Sequence, residues 1–199
     1  MLGLFATDGS LQEYIWKTKD RRTYYEVLEM KDSDIIEQVA DFFGTTVKSR
    51  TRVINNKTHT FYKVEITSKS IEEYAKYLEN SKERLFDYFA NLSKEEQNEF
   101  IRGTFDGDGG VCKKGKGLRC YFCANSKDNL DKVYEYWFNE NNIAFSKYHD
   151  KRGAGAYNYN IGNQKEIKKF VDLIYINTEY KLARKYNIFK QNGFLSTEM

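Results

Sequence analysis

Ile35, Ile36, Val39, Phe42 and Phe43 recur at three- and four-residue intervals, which places them on one face of a helix over about Asp34–Phe43. Alternating stretches around it read as strands: Leu11–Lys17 and Tyr24–Met30 before, Val47–Val53 and Phe61–Thr67 after. A helix at about Ile71–Leu78 follows. The same succession returns further along. Gly110–Lys113 and Leu118–Ala124 are strand-like, about Lys127–Asn139 is helical, Ile143–His149 and Ala156–Ile161 are strand-like, and about Lys165–Tyr175 is helical. Asn55-Asn56 and Arg152-Gly153-Ala154-Gly155 read as turns between strands. Ser126 and Ser93 stand where N-caps belong, and Ser93 with Glu96 forms a capping box. The stretch of about Glu79–Leu92 lacks Pro and Gly and reads as partly helical. Asn177–Phe189 reads as a basic helix carrying Lys181, Arg184 and Lys185, and Gln191–Met199 as a fraying end.

The two successions open on the same motif. Gly3-Leu4-Phe5-Ala6-Thr7-Asp8-Gly9 and Gly103-Thr104-Phe105-Asp106-Gly107-Asp108-Gly109 keep Gly, Phe, Asp and Gly in register, half a chain length apart. Each half then reads helix, strand, strand, helix, strand, strand, helix. The expectation is an α+β protein of two pseudo-symmetric units, residues 1–80 and 93–190, with a linker at 81–92 and a tail at 191–199. Helical spacing puts Gly3 and Thr7 on one face, and likewise Gly103 and Gly107, so the two motif helices can approach closely. Gly9 and Gly109 stand at the C′ positions. Asp8 and Asp108 then meet at two helix C-termini, where they repel each other and face the negative ends of both macrodipoles. A divalent cation offsets both costs. Mg²⁺ takes one or two carboxylates with waters and phosphate oxygens, so metal-assisted phosphodiester hydrolysis is the matching chemistry.

Charge sharpens this picture only locally. Lys and Arg number 32 against 29 Asp and Glu, a net +3 that by itself does not mark a nucleic-acid binder. Yet Val47–Lys63 carries Lys48, Arg50, Arg52, Lys57 and Lys63 without an acid. Gly110–Lys127 carries Lys113, Lys114, Lys116, Arg119 and Lys127, again without one. Lys17, Lys19, Arg21, Arg22 and the cluster Lys147, Lys151, Arg152 add to them. In a strand Lys48, Arg50 and Arg52 share one face, with Val47 and Val53 on the other. The acids fall mostly in helices, which predicts a cationic sheet surface and an anionic helical side. Basic two-stranded ribbons suit the DNA major groove.

The paired motif is similar to that of the LAGLIDADG homing endonucleases in their single-chain form with two motifs. Phe100–Gly109 (FIRGTFDGDG) matches closely and Met1–Gly9 (MLGLFATDG) more loosely. The resemblance spans essentially the whole chain, through the αββαββα order of each half. It implies two antiparallel four-stranded sheets forming a saddle over double-stranded DNA, and cleavage at long asymmetric sites by a monomer. Asp8 and Asp108 would correspond to the metal-binding acids, one per DNA strand, with the carbonyls of Thr7 and Gly107 as further ligands and Mg²⁺, or Mn²⁺ in its place, as the ion. Lys31 would supply the catalytic cation at the end of the second strand, where the second half carries Asn125. The first motif has Ala6 where the second has Asp106, a position not expected to bind metal. The second motif helix can extend back to about Lys94, whereas the first starts at Met1, so the first is expected to be the shorter and to depend on packing. An intron RNA-binding maturase or a non-cleaving DNA-binding protein of the same fold is the alternative.

Other classes fall away. No apolar run approaches a membrane span, and no charged n-region with an apolar segment opens at Met1. With only three cysteines, this predicts a reducing intracellular setting: cytoplasm, phage-infected cell or organelle matrix. His59 and His149 are the two histidines, too few for a histidine metal box. Cys120 and Cys123 have C-x-x-C spacing with Cys112 nearby, but a fourth ligand is missing and the segment reads as a strand. Glu29-Met30-Lys31 with Asp20 sketches a different nuclease site, though such spacing arises often by chance. Asp106–Gly110 begins like a calcium loop, but its twelfth position is Gly117.

Overall fold

The computed structural model describes residues 1–16, 21–78, 84–125, 129–151, 155–176 and 178–195. The repeat emerges as two sheets of identical topology. In the first half α1 (Leu2–Asp8) runs into β1 (Gly9–Trp16) and β2 (Arg21–Met30), followed by α2 (Ser33–Phe43), β3 (Lys48–Ile54), β4 (Lys57–Ile66) and α3 (Lys69–Leu78). A short α4 (Leu85–Ala90) precedes the second set. That set comprises α5 (Lys94–Gly107), β5 (Gly110–Lys114), β6 (Gly117–Asn125), α6 (Leu130–Glu140), β7 (Ser146–Asp150), β8 (Ala156–Ile161) and α7 (Gln164–Tyr175), with α8 (Ala183–Gln191) last. Strand orders are β1-β2-β4-β3 and β5-β6-β8-β7, antiparallel throughout. The α+β class and the two antiparallel four-stranded sheets are as the sequence predicts. No described helix is long and apolar enough to cross a membrane.

Local chemistry accounts for the boundaries. Asn55 and Asn56 both take positive φ (50° and 59°), which a two-residue hairpin turn of the right twist requires. The Ser93–Glu96 capping box starts α5, each side chain bonding the other residue's N–H. Where α6 was expected from about Lys127, it runs from Leu130 with Asn129 as N-cap. Ser126 and Lys127 lie outside the described residues. The stretch expected as a linker contains α4, whose Leu85 and Phe89 are fully buried in the second core.

Alternation then sorts each strand into two faces. Leu28, Met30, Val64 and Ile66 of the first sheet pack on Ile35, Ile36 and Val39 of α2, with Leu4 and Phe5 of α1. Leu118, Cys120, Phe122, Ala124, Tyr159 and Ile161 of the second pack on Phe105, Trp137, Phe138 and Phe170. The opposite faces carry no core. The edge strand β3 is exposed along its whole length, Val53 included at 72%. Val53 stands on the face opposite Lys48, Arg50 and Arg52, as the alternation predicts, but it is exposed there.

One connection crosses between the halves. After α7 the chain returns to α2: the Gln38 amide donates to the Lys181 carbonyl at 3.1 Å and accepts from the Lys181 N–H at 2.9 Å. Asp34 accepts from the Ala183 N–H at 2.9 Å, and Arg184 donates to Asp32 at 3.0 Å. Between them Leu182 is buried in the first half's core, while its N–H donates to Asp106 of α5 at 3.1 Å. This is why α8 starts at Ala183 rather than near Asn177.

Candidate functional site

The motif helices α1 and α5 touch backbone to backbone. A Cβ on Gly3 would stand 1.9 Å from the Phe100 carbonyl oxygen, and one on Gly103 2.6 Å from the Leu4 nitrogen. A Cβ on Gly107 would meet the Thr7 hydroxyl at 2.1 Å and a carboxylate oxygen of Asp8 at 2.2 Å. The small-residue faces are thus the helix contact that the spacing predicts, and Asp8 rests directly over Gly107. Of the glycines that follow, Gly109 stands at C′ after the C-cap Asp108, as expected, whereas Gly9 is itself the C-cap of α1. Gly9 is extended (φ −79°), and neither it nor Gly109 takes a positive φ. Instead a Cβ on Gly9 would lie 2.3 Å from the buried Glu26 carboxylate, and one on Gly109 2.5 Å from the Phe105 ring. Both glycines let a strand leave its helix against packed neighbours. With seven residues against fourteen, α1 is the shorter helix.

Burial raises the proton affinity of the Asp8 carboxyl above its ordinary range, and the facing Asp108 raises it further. The Thr7 hydroxyl, which donates to Asp8 at 3.1 Å, opposes this, as do Lys185 and Arg184. Two acids that disfavour each other's charge are a fit for a hard divalent cation. The available donors are oxygens only, the two carboxylates and the helix-terminal carbonyls. No group of three or more His, Cys, Asp or Glu that could hold a metal exists among the described residues. Cys120 is buried on the core face, opposite to Cys112 and Cys123 in the alternation of the sheet, so the three thiols form no common site.

Lys185 is the residue that sequence reasoning missed here. It is buried, and its Nζ donates to the carbonyls of Phe105 (2.5 Å), Asp106 (2.8 Å), Gly107 (3.1 Å) and Gly109 (2.5 Å). A cation thus caps the C-terminus of α5, the place where the macrodipole favours one. It also claims the Gly107 carbonyl, one of the expected metal ligands. Burial lowers its pKa to about 8, against the pull of Asp106 and Asp8. Nothing in the run Lys181, Arg184, Lys185 marks one of these as internal. Asp106 is buried as well, accepting from the Tyr175 hydroxyl at 2.6 Å and the Leu182 N–H. These bonds anchor α5.

The expected basic residues divide by face. On the outer face of the first sheet stand Lys48, Arg50, Arg52, Lys57 and Lys63, together with His59 and Phe61. The expected cationic surface also carries acids. Glu29 of β2 pairs with Arg50 and, at 2.9 Å, with Arg52; Glu65 of β4 pairs with Lys48 at 2.9 Å and Lys63 at 2.7 Å. These acids are invisible in the linear charge runs because strand register brings them in. Lys31 lies 5.4 Å from the Phe61 ring centre on this face. On the second sheet Lys114 and Arg119 share the outer face with Tyr121, Asn158 and Asn160, and Lys116 sits in the turn. Lys113, opposite buried Leu118, alternates to the other side. Lys147 is a clearer departure: it sits on the helical side, 2.9 Å from Glu135 and 3.9 Å from Asp131 of α6, over the rings of Tyr157 and Tyr159. Its parity in β7 turns it away from the outer face. Lys151 is exposed beyond β7. Arg21, Arg22 and Asn125 are described only in their backbone, at the start of β2 and the end of β6, and Lys17, Lys19 and Arg152 lie outside the described residues.

Two four-stranded sheets, each led by a helix of a paired Asp-terminated motif, define the single-chain, two-motif LAGLIDADG fold. Residues 95–175 match the family model of the LAGLIDADG-like domain. Among solved structures, the homing endonuclease I-DmoI in complex with DNA and Ca is 22% identical, with a TM-score of 0.61 over 96% of this chain and 94% of that one. I-DmoI in complex with DNA and Mn is 24% identical over 89% and 94%, with a TM-score of 0.58. The LAGLIDADG homing endonuclease I-GzeII in complex with its DNA target is 15% identical over 96% and 86%, also at 0.58. No curated protein sequence matches significantly.

Proposed function

We propose that this chain is a site-specific double-stranded DNA endonuclease that hydrolyses phosphodiester bonds with divalent metal, Mg²⁺ with Mn²⁺ as a substitute. It would act as a monomer, its halves 1–80 and 93–190 each serving one strand. The observation that carries this is the meeting of Asp8 and Asp108 where α1 and α5 touch, with burial and mutual repulsion disfavouring charge on Asp8. Asp8 and Asp108, with the Thr7 and Gly107 carbonyls, would hold the ion; bound there, it activates water and neutralises charge on the phosphate. Lys31 adds a cation to the end of β2, and the outer-face bases of both sheets bind phosphates and base edges. The relatives bound to DNA with Ca or Mn support the reading.

The test is cleavage of a randomised duplex library. Cutting with Mg²⁺ or Mn²⁺ but not with EDTA is expected, and Asp8→Asn or Asp108→Asn should abolish it while duplex binding persists. Lys185's hold on the Gly107 carbonyl favours one rival, a DNA-binding protein that does not cut. Selective duplex binding without cutting under either metal would establish that rival.

A further inference from the structure

The two outer faces differ in kind. Position for position, Glu29 opposite Lys63 in the first sheet corresponds to Cys123 opposite Asn158 in the second, and Lys48 and Arg50 correspond to Tyr148 and Asp150. Among the described residues, the carboxylate held by two arginines is in the first half. At its centre Glu29 is largely covered, its side chain 17% exposed, and both oxygens are engaged: Oε2 by Arg50 and Oε1 by Arg52 at 2.9 Å. Arg52 also lies flat enough on the sheet to place its guanidinium 5.0 Å from the Phe61 ring centre. A long, free arginine loses much side-chain entropy when it contacts a base. Glu29 holds these two in place beforehand, which reduces that loss, and each retains N–H groups that Glu29 does not use, since a guanidinium offers five donors.

We infer that Glu29 is a specificity-determining positioning residue: by gripping Arg50 and Arg52 together against Phe61, it presents a fixed pair of guanidinium forks that read two guanines in the half-site under the first sheet. Arg is the side chain that matches the O6 and N7 acceptors of guanine bidentately in the major groove. Residues two apart on a strand are about 6.6 Å apart, close to two base steps at about 3.4 Å each, so the two guanines lie within two steps of one another. In the second half Asp150 takes the place of Arg50 and Cys123 the place of Glu29, so that sheet does not repeat this arrangement. The inference rests on the reading of this face as a DNA-binding surface.

The experiment is selection of bound sequences from a randomised duplex library in EDTA, so that cleavage plays no part. Wild-type protein should enrich two guanines within two steps of each other in one half-site. Glu29→Gln keeps the shape and removes the charge; it should bind the pool at least as tightly but prefer those guanines about tenfold less. Arg50→Lys and Arg52→Lys should each abolish the preference at one guanine and leave the dependence of pool binding on salt unchanged. Glu29 as a mere competitor for the arginines predicts tighter binding in Glu29→Gln with both guanines still selected, and that result overturns the inference. So does wild-type selection of a site lacking the guanine pair. Failure of the wild-type protein to bind any duplex overturns the underlying DNA-binding reading instead, and is told apart by that.

Discussion

Asp8 carries a conflict that the rest of the site is built around. Its folded-state pKa lies above the unfolded value, because of burial first and Asp108 second. The folded protein therefore holds the Asp8 proton more tightly than the unfolded chain does, and this contribution to stability is lost as pH rises through the folded-state titration. Metal-free protein is expected to weaken over that window. Asp8→Asn should remove the decline and stabilise the metal-free protein at neutral pH by on the order of 1 kcal/mol, read from urea unfolding in EDTA at several pH values. Added Mg²⁺ should stabilise wild type more than the variant. The residue scale is also where the sequence was hardest to read. Asp8 and Asp108 stand out because the motif recurs, but Lys185 does not, since burial of a lysine depends on carbonyls eighty residues away. Glu29 and Lys147 are likewise defined by partners across a strand pair or a helix, which linear charge counting cannot see.

At the scale of elements, the helices and hairpins were legible and their joints less so. The periodicity of Ile35, Ile36, Val39 and Phe43 and the capping box at Ser93 identify α2 and α5, and Asn55-Asn56 identifies the β3–β4 turn. These features are local, and local sequence suffices for them. Less legible were α4, a six-residue helix held by Leu85 and Phe89 in a core supplied from elsewhere, and the short stretch before α8. The α1–α5 contact lies between these cases, because small residues four apart suggest it and only packing completes it. Gly3→Ala should show how closely. Its methyl group would have to displace the Phe100 carbonyl, so a cost of about 3 kcal/mol is expected in urea unfolding. Because separation of the helices also pulls Asp8 from Gly107, metal-induced stabilisation should fall along with it.

For the molecule as a whole, the sheets are separate but the cores are not independent. Leu182 stands between α7 and α8, both packed in the second half's core, yet it fills the first half's core while its own N–H ties to Asp106. The halves should therefore unfold in one transition, whether followed by far-ultraviolet circular dichroism or by tryptophan fluorescence. Leu182→Ala, a truncation in a fully buried site, should cost about 3 kcal/mol. If only one half loses stability, the variant will show two transitions.

That crossing segment also sets a rule for anyone who would recombine such proteins. The helices and sheet of residues 1–80 look like a module that could be lifted out and fused to another partner. They would leave behind the leucine that closes their core and the backbone groups that Asp34 and Gln38 bind. A working exchange must carry residues 181–184 with the first half, though they are encoded at the far end of the second, and must leave that second half a lysine in the place of Lys185.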